Sequence, residues 1–75
     1  MAKPPVLQVL AENVRAYRAK VGISQDEFAH QCGLHRTYIG SIERAERNVT
    51  LATVTMLAQV MKVEVVTLLS KGGVK

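Results

Sequence analysis

Apolar residues recur near the start of the chain at spacings of three and four, which is the pattern of one face of an α-helix. They are Leu7, Leu10, Val14, Tyr17 and Val21. Pro5 suits a first helical turn, and Gly22 lies where a helix C-cap is expected. The pattern predicts a first helix from about Pro5 to Val21.

Two short helices are predicted next. Ser24 is followed three residues later by Glu27, which is the spacing of a capping box. In that motif the serine hydroxyl accepts a hydrogen bond from the N–H of the third helical residue. A second helix is therefore expected over about 25–31, with Gly33 ending it, and a third over about 36–44.

The remainder of the chain is predicted to form two further helices. Thr50 is a suitable N-cap for a fourth helix, whose inner face is Leu51, Val54, Leu57, Ala58 and Met61. Residues 63–69 are assigned to a short fifth helix, although their β-branched residues make a strand the rival assignment. The expected fold is all-α: one compact five-helix domain over 1–75, with flexible ends at about 1–4 and 71–75.

The stretch from Gln25 to Arg44 has the features of a helix-turn-helix. The two predicted helices are joined by the tight turn Cys32-Gly33-Leu34. Gly33 can adopt the positive φ that such a short turn needs. Ala29 is small at the place where the two helices are expected to cross.

The outer face of the third helix carries the chemistry that suggests a function. At about 100° per residue, Ile39 and Ile42 define the buried side of this helix. The opposite side carries no carboxylate and consists of Arg36, Thr37, Gly40, Ser41 and Arg44. Arginine reads guanine through paired hydrogen bonds, and threonine contacts base edges or a thymine methyl. This face is predicted to enter the major groove of DNA, the alternative being an ordinary solvated helix face.

Composition and charge are compatible with DNA binding, but they do not distinguish it from other functions. The formal net charge of +4 suits nucleic acid, an acidic partner or an anionic membrane surface. A single cysteine, Cys32, permits no internal disulfide and fits a reducing compartment. No stretch is long enough to span a bilayer, and the start lacks a signal-peptide pattern, so a cytoplasmic protein is expected.

Other functions are less well supported by the residues present. His30, Cys32 and His35 fall short of the four ligands of a structural zinc site. No glycine-rich phosphate loop or paired carboxylates are evident, and the chain is too small for a substrate cleft. The first helix lacks the tryptophan typical of membrane-surface helices. We therefore do not expect an enzyme. We also expect no metal or other cofactor, no small-molecule ligand and no membrane binding.

The segment from Ser24 to Val63 resembles the Cro/repressor-type, or XRE-like, helix-turn-helix family. The string HRTYIGSIERAERN is similar in particular to the controller proteins of restriction–modification systems. The resemblance covers about 14–69 and implies a lambda-repressor-like fold, an operator with two half-sites and dimerisation through the fourth and fifth helices. The chain departs from the family pattern at His35, a helix-cap position, at Ala45, where glycine is common, and at Val49, where proline is common.

The resemblance also implies roles for individual residues. Arg36 and Thr37 would read bases, and Arg18 and Glu43 would form a structural pair that ties helix one to the end of the recognition helix. The full set expected to bind DNA is Gln25, His35, Arg36, Thr37, Tyr38, Ser41, Arg44, Arg47 and Asn48. Apolar residues left over on the last two helices are expected to form the dimer interface: Met56, Val60, Val65, Val66 and Leu69.

The sequence therefore predicts a homodimeric, sequence-specific transcription regulator that binds double-stranded DNA at a palindromic operator. The resemblance suggests restriction–modification genes as its targets. The alternative is an antitoxin-like protein-interaction module with secondary DNA binding. The cations retained at Arg36, Arg44 and Arg47 favour DNA.

Overall fold

The computed structural model describes residues 5–75, and this part of the chain forms five helices. They are α1 Pro5–Val21, α2 Gln25–Cys32, α3 Arg36–Glu43, α4 Leu51–Met61 and α5 Val65–Leu68. Within 5–75 there is no strand, so the all-α prediction is confirmed and the rival strand assignment for 63–69 is wrong. The flexible end predicted at 1–4 lies outside the described residues.

The helix boundaries follow local capping signals. The hydroxyl of Ser24 accepts from the N–H of Glu27 at 3.0 Å, and the hydroxyl of Thr50 accepts from the N–H of Thr53 at 3.1 Å. Gly33 ends α2 with a φ of 67°. The bonds to Ser24 and Thr50 satisfy N–H groups that a helix start leaves without intrahelical partners, so α2 and α4 begin directly after these caps.

The fifth helix is shorter than predicted. Lys62 adopts a left-handed φ of 59° after α4, and the N–H of Val63 donates to the carbonyl of Ala58 at 3.0 Å. Val63 therefore belongs to the turn that closes α4. Only Val65–Leu68 remains for α5.

The core is aliphatic around one phenylalanine. α1 packs against α3 and α5, α2 packs against α3 and α4, and α4 packs against α5. The rings of Tyr17 and Phe28 pack at a tilt of 49°, with their centroids 5.6 Å apart. The largest fully buried side chains are Phe28, Leu10, Ile39, Ile42, Leu57, Leu68, Val14 and Asn13. Val21, which the periodicity placed on the inner face, is exposed in the last turn of α1.

The C-terminal segment folds back onto α1. Val74 is only 9 % exposed, and its N–H donates to Oδ1 of Asn13 at 3.3 Å. The sequence predicted a flexible end over 71–75; within this segment, Val74 contacts the rest of the domain through its side chain and this one hydrogen bond. Among residues 5–75, no helix has the length and apolar character needed to cross a membrane.

Candidate nucleic-acid interface

α2 and α3 border a cleft of about 200 Å³ on the surface of the protein. Its lining residues are Gln25, Arg36, Thr37, Gly40 and Arg44. All but Gly40 belong to the set that the sequence predicted to bind DNA. The fold thus brings the start of α2 and the outer face of α3 into one polar, cationic surface.

α3 begins at a histidine cap. Nδ1 of His35 accepts a hydrogen bond from the N–H of Thr37 at 3.1 Å. Histidine therefore supplies the acceptor that serine provides at many helix starts. This bond uses Nδ1 as the acceptor, so the N–H of the neutral ring is on Nε2, in an exposed side chain directly before α3.

Gly40 lies beneath two longer side chains. A Cβ at this position would be 3.1 Å from Nη1 of Arg44 and 3.6 Å from Oε1 of Gln25. Gly40 is buried by these neighbours. The missing side chain thus lets Arg44 and Gln25 lie across the middle of α3.

Two carboxylates lie beside the arginines of this surface. Nε of Arg36 is 3.6 Å from Oδ1 of Asp26, and Nε of Arg44 is 2.8 Å from Oε1 of Glu46. All four side chains are exposed, and such surface pairs contribute little to stability. These two ion pairs by themselves therefore restrain the arginine side chains only weakly. Projection of α3 alone did not identify these carboxylates, because they come from α2 and from the turn after α3.

Arg47 is held against α3 by two contacts. Its Nε donates to the hydroxyl of Ser41 at 3.0 Å, and its guanidinium carbon lies 4.5 Å from the centroid of the Tyr38 ring. The ring and the cation attract each other electrostatically. Ser41 also donates to the carbonyl of Tyr38 at 2.7 Å.

Ser41 differs from its predicted position. The helical projection placed it on the exposed face, near the bases, but it is only 8 % exposed. Arg47, which comes from the loop after α3, covers it. Ser41 thus holds a DNA-binding candidate in place, and Asn48 lies exposed in the same loop.

The structure contains the pair of Arg18 and Glu43 that ties α1 to the end of α3. Arg18 donates to both carboxylate oxygens, from Nε at 2.5 Å and from Nη2 at 2.8 Å. Gln25 also donates to this carboxylate, from Nε2 to Oε1 at 2.9 Å. The side chain that was expected to reach DNA therefore also belongs to the network that fixes α3.

The Glu43 carboxyl is ionised in a buried setting. Burial by itself would raise its pKa, but hydrogen bonds from Arg18 and Gln25 and the charges of Arg18 and Arg15 lower the pKa below its usual value. Arg15 also donates to the backbone carbonyl of Glu43. Sequence reasoning did not assign Arg15 this structural role.

A second surface, on α4 and α5, carries the apolar residues predicted for the dimer interface. Met56, Val60, Val65 and Leu69 are half-buried at the edge of the core. Val66 is 71 % exposed. Leu51, at the first residue of α4, is a further exposed apolar side chain that the sequence assigned to the core.

The remaining histidine and cysteine side chains do not converge. Cys32 is buried, which raises the pKa of its thiol to about 11, and His30 is exposed. Within residues 5–75, no three histidine, cysteine, aspartate or glutamate side chains are arranged to hold a metal ion.

The chain is similar to known proteins over most of its length. The family model described as helix-turn-helix matches residues 14–68. The control protein C.SmaI of Serratia marcescens is 51 % identical over 70 residues, which are 93 % of this chain and 83 % of that protein. The crystal structure of the hypothetical transcription factor NHTF from Neisseria matches with a TM-score of 0.83 and 39 % identity, covering 88 % of this chain and 76 % of that one. The restriction-modification controller protein C.AhdI from Aeromonas hydrophila matches with a TM-score of 0.76 and 35 % identity, covering 83 % and 94 % respectively.

Proposed function

This chain belongs to the helix-turn-helix family of DNA-binding transcription regulators, and from this premise we propose that it acts as a homodimer on a palindromic operator. The similarity to C.SmaI and C.AhdI suggests restriction–modification genes as its targets. The observation that carries the proposal is the cleft between α2 and α3, lined by Gln25, Arg36, Thr37 and Arg44.

The predicted DNA-binding residues divide into two roles. Arg36 and Thr37 occupy the first turn of α3 and are the base readers, since the start of a recognition helix meets the base edges. His35 offers Nε2–H beside them. The residues that hold the phosphate backbone are Gln25, Tyr38, Arg44, Arg47 and Asn48. Phosphate contacts fix the register of the protein on DNA and weaken as salt rises.

Dimerisation is the way in which so small a protein gains specificity. One recognition helix contacts few base pairs, whereas a two-fold dimer doubles the contacts and demands half-sites about 34 Å apart. The α4–α5 surface is the proposed interface because Val66 is exposed there beside the half-buried Val65 and Leu69. Burial of these side chains against a second copy is favourable at about 25 cal/mol per Å².

Selection of bound DNA from a pool of random duplexes, followed by sequencing, tests the function. The duplexes selected by the unaltered protein should share a palindromic motif with two half-sites. Arg36→Ala should lose discrimination at one base position of each half-site, costing about 1–3 kcal/mol, while Lys20→Ala, which removes a cation outside the cleft, should leave the motif unchanged. Retention without a motif, abolished by modest salt, would mean that the protein does not read sequence.

Sedimentation of a surface variant tests the dimer. Val66→Asp places a charge on the proposed interface without altering a core residue, so the variant should sediment as a folded monomer. The matched control is Val6→Asp, which alters another exposed valine, on α1. Dimers of Val66→Asp as stable as those of the control would show that the interface lies elsewhere.

Control by protein concentration is the proposed form of regulation. Two-step assembly, first of the dimer and then of the complex with its operator, makes occupancy rise steeply with concentration. Transcription from the target promoter, measured against protein level, should show a threshold. A simple hyperbolic response would contradict this form of regulation.

A further inference from the structure

Asn13 is a buried polar residue in the middle of α1. It is only 2 % exposed, and its side chain makes three hydrogen bonds. Its amide nitrogen donates to the carbonyls of Leu68 at 2.6 Å and Ser70 at 2.9 Å, and its oxygen accepts from the N–H of Val74 at 3.3 Å. Both amide hydrogens are used, so a single side chain holds the end of α5 and the segment that follows.

α5 has little stability of its own. It contains four residues, two of which are β-branched valines, and its N-cap residue Glu64 makes no side-chain cap bond. A single helical turn does not persist in water without tertiary support, because nucleating a helix is unfavourable. The orientation of α5 is therefore set by the residues that hold it from outside.

Apolar packing and hydrogen bonds both hold α5, and they restrict different movements: Val65 and Leu69 pack half-buried at the edge of the core, beside the anchors Leu68 and Asn13. The fully buried side chain of Leu68 fixes how deeply the turn sits in the core. Apolar packing is non-directional, so Leu68 and the half-buried Val65 and Leu69 restrict rotation of the turn less sharply than hydrogen bonds do. The amide of Asn13 binds two backbone carbonyls at once, which fixes the rotation and so determines that Val66 is exposed and Leu69 half-buried.

We propose that Asn13 is a positioning residue for the dimer interface: its amide fixes the rotation of α5 and thereby the surface offered to a second copy of the chain. The proposal rests on the dimer described under the proposed function. Asn13 itself is buried and does not contact the partner. Its removal weakens dimerisation by letting α5 rotate, even where the domain stays folded.

The test compares Asn13→Ala with Val14→Ala. Val14 is the next residue of α1 and is fully buried, so its truncation gives a matched loss of core packing. Dimer dissociation constants are measured by sedimentation at a temperature where circular dichroism shows all proteins folded. The dissociation constant of Asn13→Ala should rise about tenfold, the worth of about one hydrogen bond, and that of Val14→Ala less than about twofold. Equal shifts for the two variants would overturn the proposal.

A double-mutant cycle separates positioning from general destabilisation. Leu69→Ala should weaken the dimer of the unaltered protein more than it weakens the dimer of Asn13→Ala, because α5 is already misplaced in the latter. Additive effects would contradict the proposed coupling. The oligomeric state of the unaltered protein is measured before that of any variant. If this protein is monomeric at all concentrations and on DNA, the dimer proposal itself fails.

Hydrogen exchange on the unaltered protein decides the matter if Asn13→Ala does not fold. The backbone amides of Leu68 and Leu69 donate to the carbonyls of Glu64 and Val65, which are the helical hydrogen bonds of α5 and its cap residues. If Asn13 anchors the turn, these amides should exchange as slowly as those in the middle of α1. Exchange near the rate of an unstructured peptide would show that α5 is not held, and the proposal would fall.

Discussion

Arg18 and Glu43 connect α1 to the end of α3 through two hydrogen bonds, at 2.5 and 2.8 Å, between the guanidinium and the two carboxylate oxygens. Their side chains are 21 % and 4 % exposed. Because Gln25 joins the same carboxylate, α1, α2 and α3 meet at one buried charge. The network therefore helps to set the angle of α3 relative to α1 and α2.

Loss of the cation should cost far more than loss of a surface charge. Arg18→Leu leaves the Glu43 carboxylate buried without its principal partner, and the free energy of unfolding should fall by about 3 kcal/mol. Urea denaturation followed by circular dichroism measures the loss. Lys20→Leu, an exposed change on the same helix, is the control and should shift stability by less than about 0.5 kcal/mol. A loss below about 1 kcal/mol for Arg18→Leu would place the pair among ordinary surface ion pairs.

The same carboxyl should make stability depend on acid. The folded protein lowers the pKa of Glu43, so the folded state binds this proton more weakly than the unfolded chain does. Its contribution is fully present above the unfolded pKa of about 4.3 and is lost as pH falls through the folded pKa. Urea midpoints should drop across this range for the unaltered protein. Glu43→Gln should be less stable at neutral pH and should show a shallower drop in acid; an unchanged slope would show that other carboxyls dominate.

His35 combines a structural role with a predicted DNA contact, and two substitutions separate them. His35→Ala removes the cap on the N–H of Thr37 and should lower the free energy of unfolding by about 1 kcal/mol. His35→Ser restores an acceptor and should recover that stability. If Nε2–H touches DNA, the serine variant should still bind the operator more weakly. If His35→Ser binds the operator as tightly as the unaltered protein does, the role of His35 is helix capping alone.

Ser41 should affect DNA binding only through Arg47. Ser41→Ala removes the hydrogen bond to Nε of Arg47 and should weaken operator binding by about 0.5–1.5 kcal/mol. In the background of Arg47→Ala the same substitution should have no further effect on affinity, as measured by fluorescence anisotropy. A loss of equal size in both backgrounds would show that Ser41 contacts the DNA itself.

Local signals made much of the fold predictable. The caps at Ser24 and Thr50 and the left-handed Gly33 act on groups within a few residues, so sequence spacing suffices to find them. Ala45 shows the limit of this reasoning. It adopts a φ of 57° in the turn after α3, at the position where glycine is common in the family. The turn keeps its geometry although alanine is strained there, because Ala45 is itself buried.

Periodicity, capping and charge along a continuous stretch of chain were enough to predict the five helices, the all-α class and the cationic surface of α3. Which groups meet across long separations became visible only in the packed domain. Its packing places Ser41 beneath Arg47, sets Asp26 and Glu46 beside the arginines, and joins Asn13 to carbonyls 55 and 57 residues further along the chain. A helical projection treats each helix in isolation, so it cannot show what a neighbouring element covers, because burial and hydrogen bonding depend on how all the helices pack together.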